Sequence, residues 1–346
     1  MASTNASTGS PQLINTRFLI ISDTHNSQLA SGENVYWSAS SHPVPFREPL
    51  PKADVLLHCG DLTMIGLMDE YQKTLDMLMD CDADLKLVIA GNHDISLDEK
   101  YYRRRGKLMH AQWGHDENLP ALAKEMWTGE RARIAGVIYL EEGTHTFTLK
   151  SGAKLRVYAS PYQPEFCDWA FPYERNEDRF NRLRSVVPGA VSIVENPVPD
   201  FPAVDVMMTH GPPLHILDKT NRGESVGCEH LLRAARRCKP RIHCFGHIHE
   251  AWGAARVLWN PSEELKNDSK THVAKAEAIQ VDYAKMVEER AVFVDVSSES
   301  GARPLDFGKE TLMVNASIMN LRYKPRHGPW LIDVDLERSS ASAADP

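Results

Sequence analysis

Five short polar motifs each follow a stretch that reads as a buried strand, and this arrangement constrains the fold more than any other feature of the sequence. The strand candidates are 17–22, 54–59, 85–90, 204–209 and 241–245. The motifs after them are, in order, Asp23-x-His25, Gly60-Asp61, Gly91-Asn92-His93-Asp94, Thr209-His210 and Gly246-His247-x-His249. Because the carboxyl ends of strands in an open α/β sheet border one crevice, residues far apart in the chain converge there. The sequence therefore predicts an α/β fold with a polar site at its strand ends.

The motif Gly91-Asn92-His93-Asp94 is the most specific of the five. Average residue usage places G-N-H-D in about one in a thousand chains of this length, and G-H-x-H in about one in a hundred. A D-x-H motif occurs by chance in about every second or third chain. The ordered set, rather than any single motif, indicates a functional site.

The residue types in these motifs suit divalent metal ions. Carboxylate, imidazole and amide oxygen without thiolate favour Mn, Fe, Zn or Mg over a closed structural zinc site, which usually recruits Cys. Glycines stand beside the candidate ligands, where the lack of a Cβ allows a sharp turn and lets a phosphate approach the backbone: Gly60, Gly91, Gly211 and Gly246.

Together, these motifs resemble those of the calcineurin-like metallophosphoesterase superfamily, and they run from Asp23 to His249. Within the superfamily, further segments are similar to the metallophosphoesterase-domain-containing branch: S-P-Y-Q-P at 160–164, W-A-F at 169–171, T-H-G-P-P at 209–213 and Gly227-Cys228. The resemblance implies a four-layer αββα sandwich, in which two mixed β-sheets pack face to face between layers of helices.

The resemblance also implies a set of metal ligands. One ion would be held by Asp23, His25 and His249, and the other by Asn92, His210 and His247. Asp61 would bridge the two ions. We expect Mn²⁺, with Fe, Zn or Mg as alternatives, because availability as well as ligand type decides which metal occupies such a site.

The resemblance assigns His93 to catalysis, beside the substrate, where it would protonate the leaving oxygen while Asp94 orients it. Asn92 and His93 would also contact the substrate. Arg222 is a further candidate for substrate binding, because a guanidinium group is planar and can bind phosphate through two bonds.

The expected reaction is hydrolysis of small phosphodiesters, with cyclic nucleotides as the substrate class that the resemblance implies. Two cations about 3.5 to 4 Å apart can polarise a phosphoryl group and lower the pKa of a bridging water toward neutrality. A metal-bridging hydroxide would then attack phosphorus directly. His93 would act as general acid, which matters most for poor leaving groups.

Two alternatives remain open at this point. A phosphomonoesterase or phosphoprotein phosphatase could use the same dinuclear site. Against that reading, Leu62 and Asp94 directly follow motifs where serine/threonine phosphatases of the superfamily usually carry arginine. A catalytically silent metal-binding scaffold is a third alternative. Closely spaced carboxylates and imidazoles are unfavourable in free energy without bound metal, which argues against a scaffold that has lost its metal.

Composition narrows the setting. The 346 residues carry a formal net charge of -8, which disfavours polymeric nucleic acid as a partner. No apolar run approaches the roughly 18 residues of a membrane span. Six cysteines without a C-x-x-C pair predict reduced thiols. We expect a cytoplasmic location, because no membrane span is apparent and residues 1–12 lack the basic start and apolar core of a secretory signal. We expect one domain over 16–337, disordered tails at 1–15 and 338–346, and a small phosphoester partner, a nucleotide among the candidates.

Several elements outside the motifs are also predicted. The patterns favour helices at 68–79 and about 228–237, strands at 144–149 and 154–159, a surface helix at 270–289, and strands at 291–296, 311–318 and 330–334. Aromatic residues either pack or shape a substrate pocket at two places: Tyr36, Trp37 and Phe46, and then Tyr162, Phe166 and Trp169. The sequence gives the segment from about 261 to 309 no role beyond these elements.

Overall fold

The computed structural model describes residues 12–31, 44–262 and 268–340 of the chain. The longer strands are β1 (Leu13–Ile21), β2 (Ala53–His58), β3 (Ala83–Val88), β4 (Val137–Tyr139), β5 (Gly143–Thr148), β6 (Lys154–Ser160), β11 (Val206–Thr209), β12 (Ile242–Phe245), β13 (Gly253–Trp259), β14 (Val273–Ala278), β15 (Val292–Asp295), β16 (Glu310–Asn315) and β17 (Trp330–Glu337). Four two-residue strands are β7 (Gln163–Pro164), β8 (Pro172–Tyr173), β9 (Glu177–Asp178) and β10 (Val191–Ser192).

The helices are α1 (Met68–Met79), α2 (Glu99–Met109), α3 (Leu119–Thr128), α4 (Glu130–Ile134), α5 (Glu229–Cys238) and α6 (Tyr283–Glu289). Short 3₁₀ turns occupy Ile95–Leu97, Leu183–Ser185, His249–Ala251 and Ser269–Thr271. Helix α1 forms because Tyr71, Leu75 and Leu78 fall on one face and are buried there.

Two mixed sheets contain the long strands. The first has the order β15-β17-β1-β2-β3-β4, and the second β14-β13-β16-β12-β11-β6-β5. In the first sheet β1, β2, β3 and β4 run parallel, while β17 is antiparallel to β1. In the second, β6, β11, β12 and β16 run parallel, with antiparallel strands at both edges. All five motif-bearing strands therefore lie in the parallel part of a sheet.

The sheets pack face to face, and helices cover their outer faces. The inner core joins side chains of both sheets, such as Ile20 and Leu57 from the first and Val206 and Val314 from the second. Helices α1, α3 and α4 cover the outside of the first sheet, where Trp127 is fully buried. Helix α5 covers the outside of the second sheet. The predicted four-layer αββα sandwich is confirmed.

The predicted surface helix at 270–289 is wrong. The alternating sequence from Val273 to Ala278 instead forms the edge strand β14, which pairs antiparallel with β13. Only the end of the region is helical, where the Asp282 carboxylate caps α6 by accepting hydrogen bonds from the backbone of Ala284 and Lys285. Pairing with an open sheet edge outweighs the helix propensity of its Ala, Lys and Glu residues.

The region from 261 to 309 now has a structural account within its described residues. It supplies β14 to the edge of the second sheet and β15 to the edge of the first. The region therefore adds one edge strand to each sheet.

The expected domain boundaries differ slightly from the strand limits. Strand β1 begins at Leu13, inside the tail expected at 1–15, because Leu13 pairs with Glu337 of β17. Residues 1–11 and 341–346, like Tyr36 and Trp37, lie outside the described residues, so the tails remain predictions. Phe46 is fully buried against the outer core of the first sheet, which favours its packing role.

Two further expectations can be compared with the structure. Within the described ranges, no helix combines the length and apolar character that crossing a bilayer requires. All six cysteines are free thiols, and Cys167 alone among them is exposed.

A buried ion pair at the start of β11 provides a test of the packing. The Asp205 carboxylate accepts hydrogen bonds from Nε and a terminal nitrogen of Arg156, both at 2.8 Å, and lies 3.4 Å from Nε of buried Arg241. Asp205→Ala removes the carboxylate that both guanidinium groups share, and among the described residues only Arg156 keeps a second carboxylate partner, Glu337 at 3.5 Å. We expect it to lower the free energy of unfolding in urea by about 3 to 5 kcal/mol.

The exposed pair between Lys124 and Glu141 is the matched control. Glu141→Ala should change the free energy of unfolding by less than about 1 kcal/mol, because solvent screens an exposed pair. If Asp205→Ala also changed the free energy of unfolding by less than about 1 kcal/mol, the buried ion pair would not contribute to stability as predicted.

Candidate functional site

The five motifs meet at the carboxyl ends of their strands. Two groups of side chains form there, and within each group all ligand atoms lie within 4.8 Å of one another. The first group is Asp23, His25, Asp61 and His249, and the second is Asp61, His210 and His247. The Asn92 amide oxygen joins the second group, 2.8 Å from His210 Nε2 and 2.7 Å from His247 Nδ1. The structure thus brings together all seven residues that the sequence nominates as ligands, and Asp61 belongs to both groups.

Unusual backbone conformations aim these side chains at one another. Asp23, His25, Asp61 and His247 have φ angles of 52°, 44°, 52° and 67°. A left-handed conformation costs a non-glycine residue about 1 to 2 kcal/mol, and it persists where the surroundings impose it. Here backbone bonds lock the loops together, since Asp23 N donates to Gly60 O at 2.9 Å and His25 N donates to Asp61 O at 3.0 Å.

In the first group, two imidazoles present nitrogen lone pairs to each other. His25 Nδ1 lies 3.2 Å from the Thr63 carbonyl and His249 Nδ1 lies 3.3 Å from the Asn320 carbonyl. A carbonyl can only accept, so each Nδ1 carries the proton and each neutral ring has a bare Nε2. These two Nε2 atoms are 3.2 Å apart, with Asp61 Oδ2 3.5 Å from His25.

The second group repeats this pattern. His210 Nδ1 donates to the Cys59 carbonyl at 2.9 Å, which leaves Nε2 as an acceptor facing the Asn92 oxygen and, at 3.5 Å, Asp61 Oδ1. Acceptors at such distances repel unless a cation lies among them. Because imidazole, carboxylate and amide oxygen are all ligands for divalent ions, the donor set fits two such ions.

The electrostatics of the site lead to the same conclusion. Burial raises the pKa of Asp61 well above its ordinary value, and the nearby charges of Asp23 and Asp94 raise it further. Burial lowers the pKa of His25 well below its ordinary value. Burial also lowers the pKa of His249, but the hydrogen bond and charge of Asp23 outweigh it and leave this pKa raised. A proton on His249 can therefore relieve one contact in the metal-free protein, whereas bound cations satisfy the whole set.

His93 lies beside these groups but points its ring into the cleft. Its Nδ1 donates to the Met64 carbonyl at 2.7 Å, and its ring stacks on Trp169 with the centroids 4.0 Å apart. The edge contact with His25 has a centroid distance of 4.6 Å. These contacts fix the ring and leave Nε2 as its free nitrogen. Burial lowers the pKa of His93 to about 4.

Asp94, which is expected to orient His93, directs its carboxylate to the backbone of neighbouring loops. Among the described residues, its carboxylate accepts four hydrogen bonds, from the backbone of Gly91, Leu62 and Thr63 and from the Thr63 hydroxyl. Burial raises the pKa of Asp94 to about 7, although these bonds favour the ionised form. Asp94 therefore secures the loop that carries Met64, and His93 is oriented by the Met64 carbonyl.

A cleft opens above the polar groups. Its floor includes Asp61, Asn92, His93, His247 and His249. Its walls include Phe166, Trp169, Arg175, Thr220, Val226, Glu250, Leu321 and Tyr323. Phe166 and Trp169 thus line the cleft, as one reading of their segment expected. Tyr162 instead packs under the Arg179 guanidinium, whose carbon lies 3.4 Å from the ring centroid.

Arg222 is exposed and is not among the residues that line the cleft. Its backbone N–H lies 3.3 Å from the Thr220 hydroxyl. Its predicted contact with phosphate has no support in this arrangement. Arg175, which sequence reasoning missed, is the arginine in the cleft wall.

Tyr323 is a second residue that sequence reasoning missed. Its ring meets His25 edge-on at 4.8 Å and lies within 6 Å of His93 and His249, and the residue is 41% exposed. A φ of 51° places it there, and the Asn320 side chain supports the turn by accepting from the backbone of Arg322 and Lys324. The turn comes after β16 but carries no motif of the kind that marks the other site residues, so the sequence pattern could not reveal Tyr323.

Two buried histidines behind the site were also missed. His58 Nε2 lies 2.8 Å from the Thr24 hydroxyl, and His243 Nε2 lies 2.9 Å from the Thr209 hydroxyl. Burial lowers the pKa of each histidine to about 3. Each neutral ring fixes a threonine adjacent to a candidate ligand, one in each sheet, and so supports the geometry from behind.

Comparison with known proteins identifies the class. The family model of the calcineurin-like phosphoesterases matches residues 16–251, more than half of the chain. The chain belongs to this family. The resemblance inferred from the motifs is confirmed.

Individual relatives make the relationship more specific. The chain is 31% identical over 240 residues to the human and mouse proteins named Metallophosphoesterase domain-containing protein 1, over 69% of this chain and 62% of each relative. It is 28% identical over 232 residues to a UPF0046 protein of Caenorhabditis elegans, over 63% of this chain and 54% of that protein. The chain thus spans less than two thirds of the length of these relatives.

Close packing at Gly246 gives a test of the site geometry. A Cβ at this position would lie 1.9 Å from Asp23 Oδ2 and 2.1 Å from the Ser22 hydroxyl. Gly246→Ala must therefore displace the Asp23 carboxylate. We expect the folded variant purified with Mn²⁺ to lose at least half of the bound metal, measured by atomic absorption.

The control is Gly253→Ala, whose new Cβ would meet its nearest neighbour, Leu217 Cδ2, at 3.3 Å. It should keep the metal content of the parent protein. An unchanged metal content in folded Gly246→Ala would show that the carboxylate is not held as described.

Proposed function

We propose that this protein is a metal-dependent phosphodiesterase that hydrolyses small phosphodiesters such as cyclic nucleotides. The observation that carries the proposal is the buried acceptor cluster on the floor of the cleft, directly beside the ring of His93. Family membership supplies the reaction class, and the cleft residues support the choice of substrate.

The proposal assigns the metal ions to the two acceptor groups. Asp23, His25 and His249 would hold one ion, Asn92, His210 and His247 the other, and Asp61 would bridge them. When bound, the ions supply Lewis acidity toward the phosphoryl group and activation of water near neutral pH. We propose Mn²⁺ as the native metal, since oxygen and nitrogen ligands without thiolate accept it.

In this proposal, His93 delivers a proton to the leaving oxygen from Nε2. The Met64 carbonyl holds Nδ1 and the Trp169 ring covers one face, so Nε2 is the nitrogen that can meet a substrate in the cleft. Burial keeps the free imidazole neutral, whereas an anionic phosphate beside Nε2 favours the protonated ring. Binding of substrate would therefore prepare the acid.

Two buried positions favour a diester over a monoester. Leu62 is fully buried in the outer core of the first sheet, and the Asp94 carboxylate is fully buried by its hydrogen bonds to the 61–66 turn. Neither position offers a cation to the second negative charge of a phosphomonoester. This argues against the phosphatase alternative, which keeps the same metal centre.

The aromatic walls favour a substrate with a planar group. Phe166 is 58% exposed and Tyr323 is 41% exposed at the cleft, so both rings are free to stack. Stacking of a base on an aromatic side chain is worth about 1 to 3 kcal/mol and depends little on sequence. A nucleotide meets this requirement. The free thiols suit a reducing compartment, and we propose a cytoplasmic location.

Activity on two aryl esters tests the proposal. Metal-stripped protein restored in turn with Mn²⁺, Fe²⁺, Zn²⁺ and Mg²⁺ should hydrolyse bis-p-nitrophenyl phosphate faster than p-nitrophenyl phosphate, with Mn²⁺ most effective. Asp61→Ala should lose both metals and at least about a thousandfold in rate, because a metal-dependent reaction fails without its bridging ligand. The exposed Asp84→Ala is the control.

Preference for the monoester would instead support the phosphatase. Rates indistinguishable from those of Asp61→Ala with every metal would support the scaffold. Normal metal content and rate in Asp61→Ala would show that the ligand assignment is wrong.

The role of His93 predicts a dependence on the leaving group. His93→Ala should keep its metal and remain within about tenfold of the parent on bis-p-nitrophenyl phosphate, whose leaving group departs easily. On a cyclic nucleotide, whose leaving alkoxide needs a proton, its rate should fall about a hundredfold to ten-thousandfold. His145→Ala on β5 is the control. Equal losses on both substrates would refute the general-acid role.

A further inference from the structure

We infer that Arg175 selects phosphodiesters that carry a second anionic group, such as an additional phosphate, away from the bond that is cleaved. This inference rests on the proposed function, because it names a feature of the substrate for that same site. It makes Arg175 a specificity residue rather than a catalytic one.

The first observation is the position of Arg175. Among the residues that line the cleft, all of which are described, it is the single Lys or Arg. The floor is deeply buried, with Asp61, Asn92 and His93 between 2% and 8% exposed, whereas Arg175 is exposed. The guanidinium therefore lies at the rim, apart from the groups that would hold the scissile phosphate.

The second observation is the lack of a charge partner. Within the described ranges, no carboxylate lies within 4.0 Å of the Arg175 guanidinium, whereas Arg156, Arg179 and Arg256 each pair with one. Its contact is the Val226 carbonyl, 3.3 Å from each of two guanidinium nitrogens. Two long bonds to one neutral acceptor leave the positive charge and most of the N–H donors available to a ligand.

The third observation is the identity of the surrounding wall. Arg175 lines the cleft with Phe166, Thr220 and Val226, and the Phe166 ring meets His247 at 6.1 Å. Phe166 thus lies on the side of the second acceptor group, in the same cleft as Arg175. A substrate with its scissile phosphate on the floor can place a planar group against Phe166 and extend a further anion toward Arg175.

Glu250 is the other charged residue at the rim of the cleft. The Glu250 carboxylate also lines the cleft and accepts from the backbone of Asn221 at 3.2 Å. Arg175 and Glu250 therefore both hold the loop that contains Asn221 and Val226. If Arg175 were only a support for this loop, its loss would affect every substrate equally, whereas selection of a second anion affects one kind of substrate.

The test compares two substrates with the same scissile group, adenosine 2′,3′-cyclic monophosphate with and without a 5′-phosphate. With Mn²⁺-loaded parent protein, we expect kcat/KM to be about ten- to hundredfold higher for the 5′-phosphorylated compound, the range of a charge-assisted hydrogen bond. Arg175→Gln should remove this preference and leave kcat/KM for the simpler compound within about threefold. Arg184→Ala, which removes another exposed arginine, should keep the preference.

A parent protein without the preference would overturn the inference. So would an Arg175→Gln variant with equal losses on both compounds, because this would indicate a loop support or a contact with the scissile phosphate itself.

A binding measurement separates this inference from the proposed function. Isothermal titration of the Mn²⁺-loaded protein should show tighter binding of adenosine 3′,5′-bisphosphate than of adenosine 3′-monophosphate, by about tenfold or more. Arg175→Gln should bind the two equally. If the protein hydrolysed neither cyclic compound, the proposed function would fail, while this comparison would still decide the role of Arg175. Equal binding of the two ligands by the parent protein would refute it.

Discussion

The crowding of hydrogen-bond acceptors at the interface of two sheets is the constraint on which the site depends. Asp23, His25, Asp61 and Asn92 follow strands of the first sheet, whereas His210, His247 and His249 follow strands of the second. Each imidazole proton whose partner is a carbonyl points away from the centre, so the groups face one another mainly as acceptors, and bound cations would satisfy the whole set. Metal binding in this family member would therefore also join the two layers of the sandwich at its open edge.

The strain in the loops is a consequence of the same requirement. Four of the ligand candidates hold positive φ angles, and Gly246 leaves no room for a Cβ beside Asp23. Backbone hydrogen bonds between the β1 and β2 loops, and the buried histidines behind them, keep the side chains in place before any ion arrives. Such preorganisation reduces the ordering that binding would otherwise have to impose.

The sequence predicted the features that depend on local pattern. Apolar runs followed by polar motifs located the five strands and the seven ligand candidates, and helical spacing located α1 with its observed bounds. The prediction failed where tertiary contacts decide. The 273–278 segment became a strand because β13 offers it an open edge.

Residues placed by irregular turns were beyond the reach of the pattern. Tyr323 reaches the site through a single turn with a left-handed conformation, and Arg175 through a short link between β8 and β9. Arg222 is close in sequence to the cleft-lining Thr220, yet it is not among the residues that line the cleft. Proximity in sequence to a motif is thus a weak guide to the walls of a cleft, although it is a good guide to its floor.

The strand order has a consequence for how the chain is built as a unit. Every recognised motif ends by Ala251, where the family match also ends, but β17 lies between β15 and β1 in the first sheet, and β16 lies between β12 and β13 in the second. Interior strands of both sheets therefore come from the part of the chain that carries no motif. The motif-bearing strands β1 and β12 each pair with a strand from the last quarter of the chain, so the two sheets that carry the site are continuous only when that part is present.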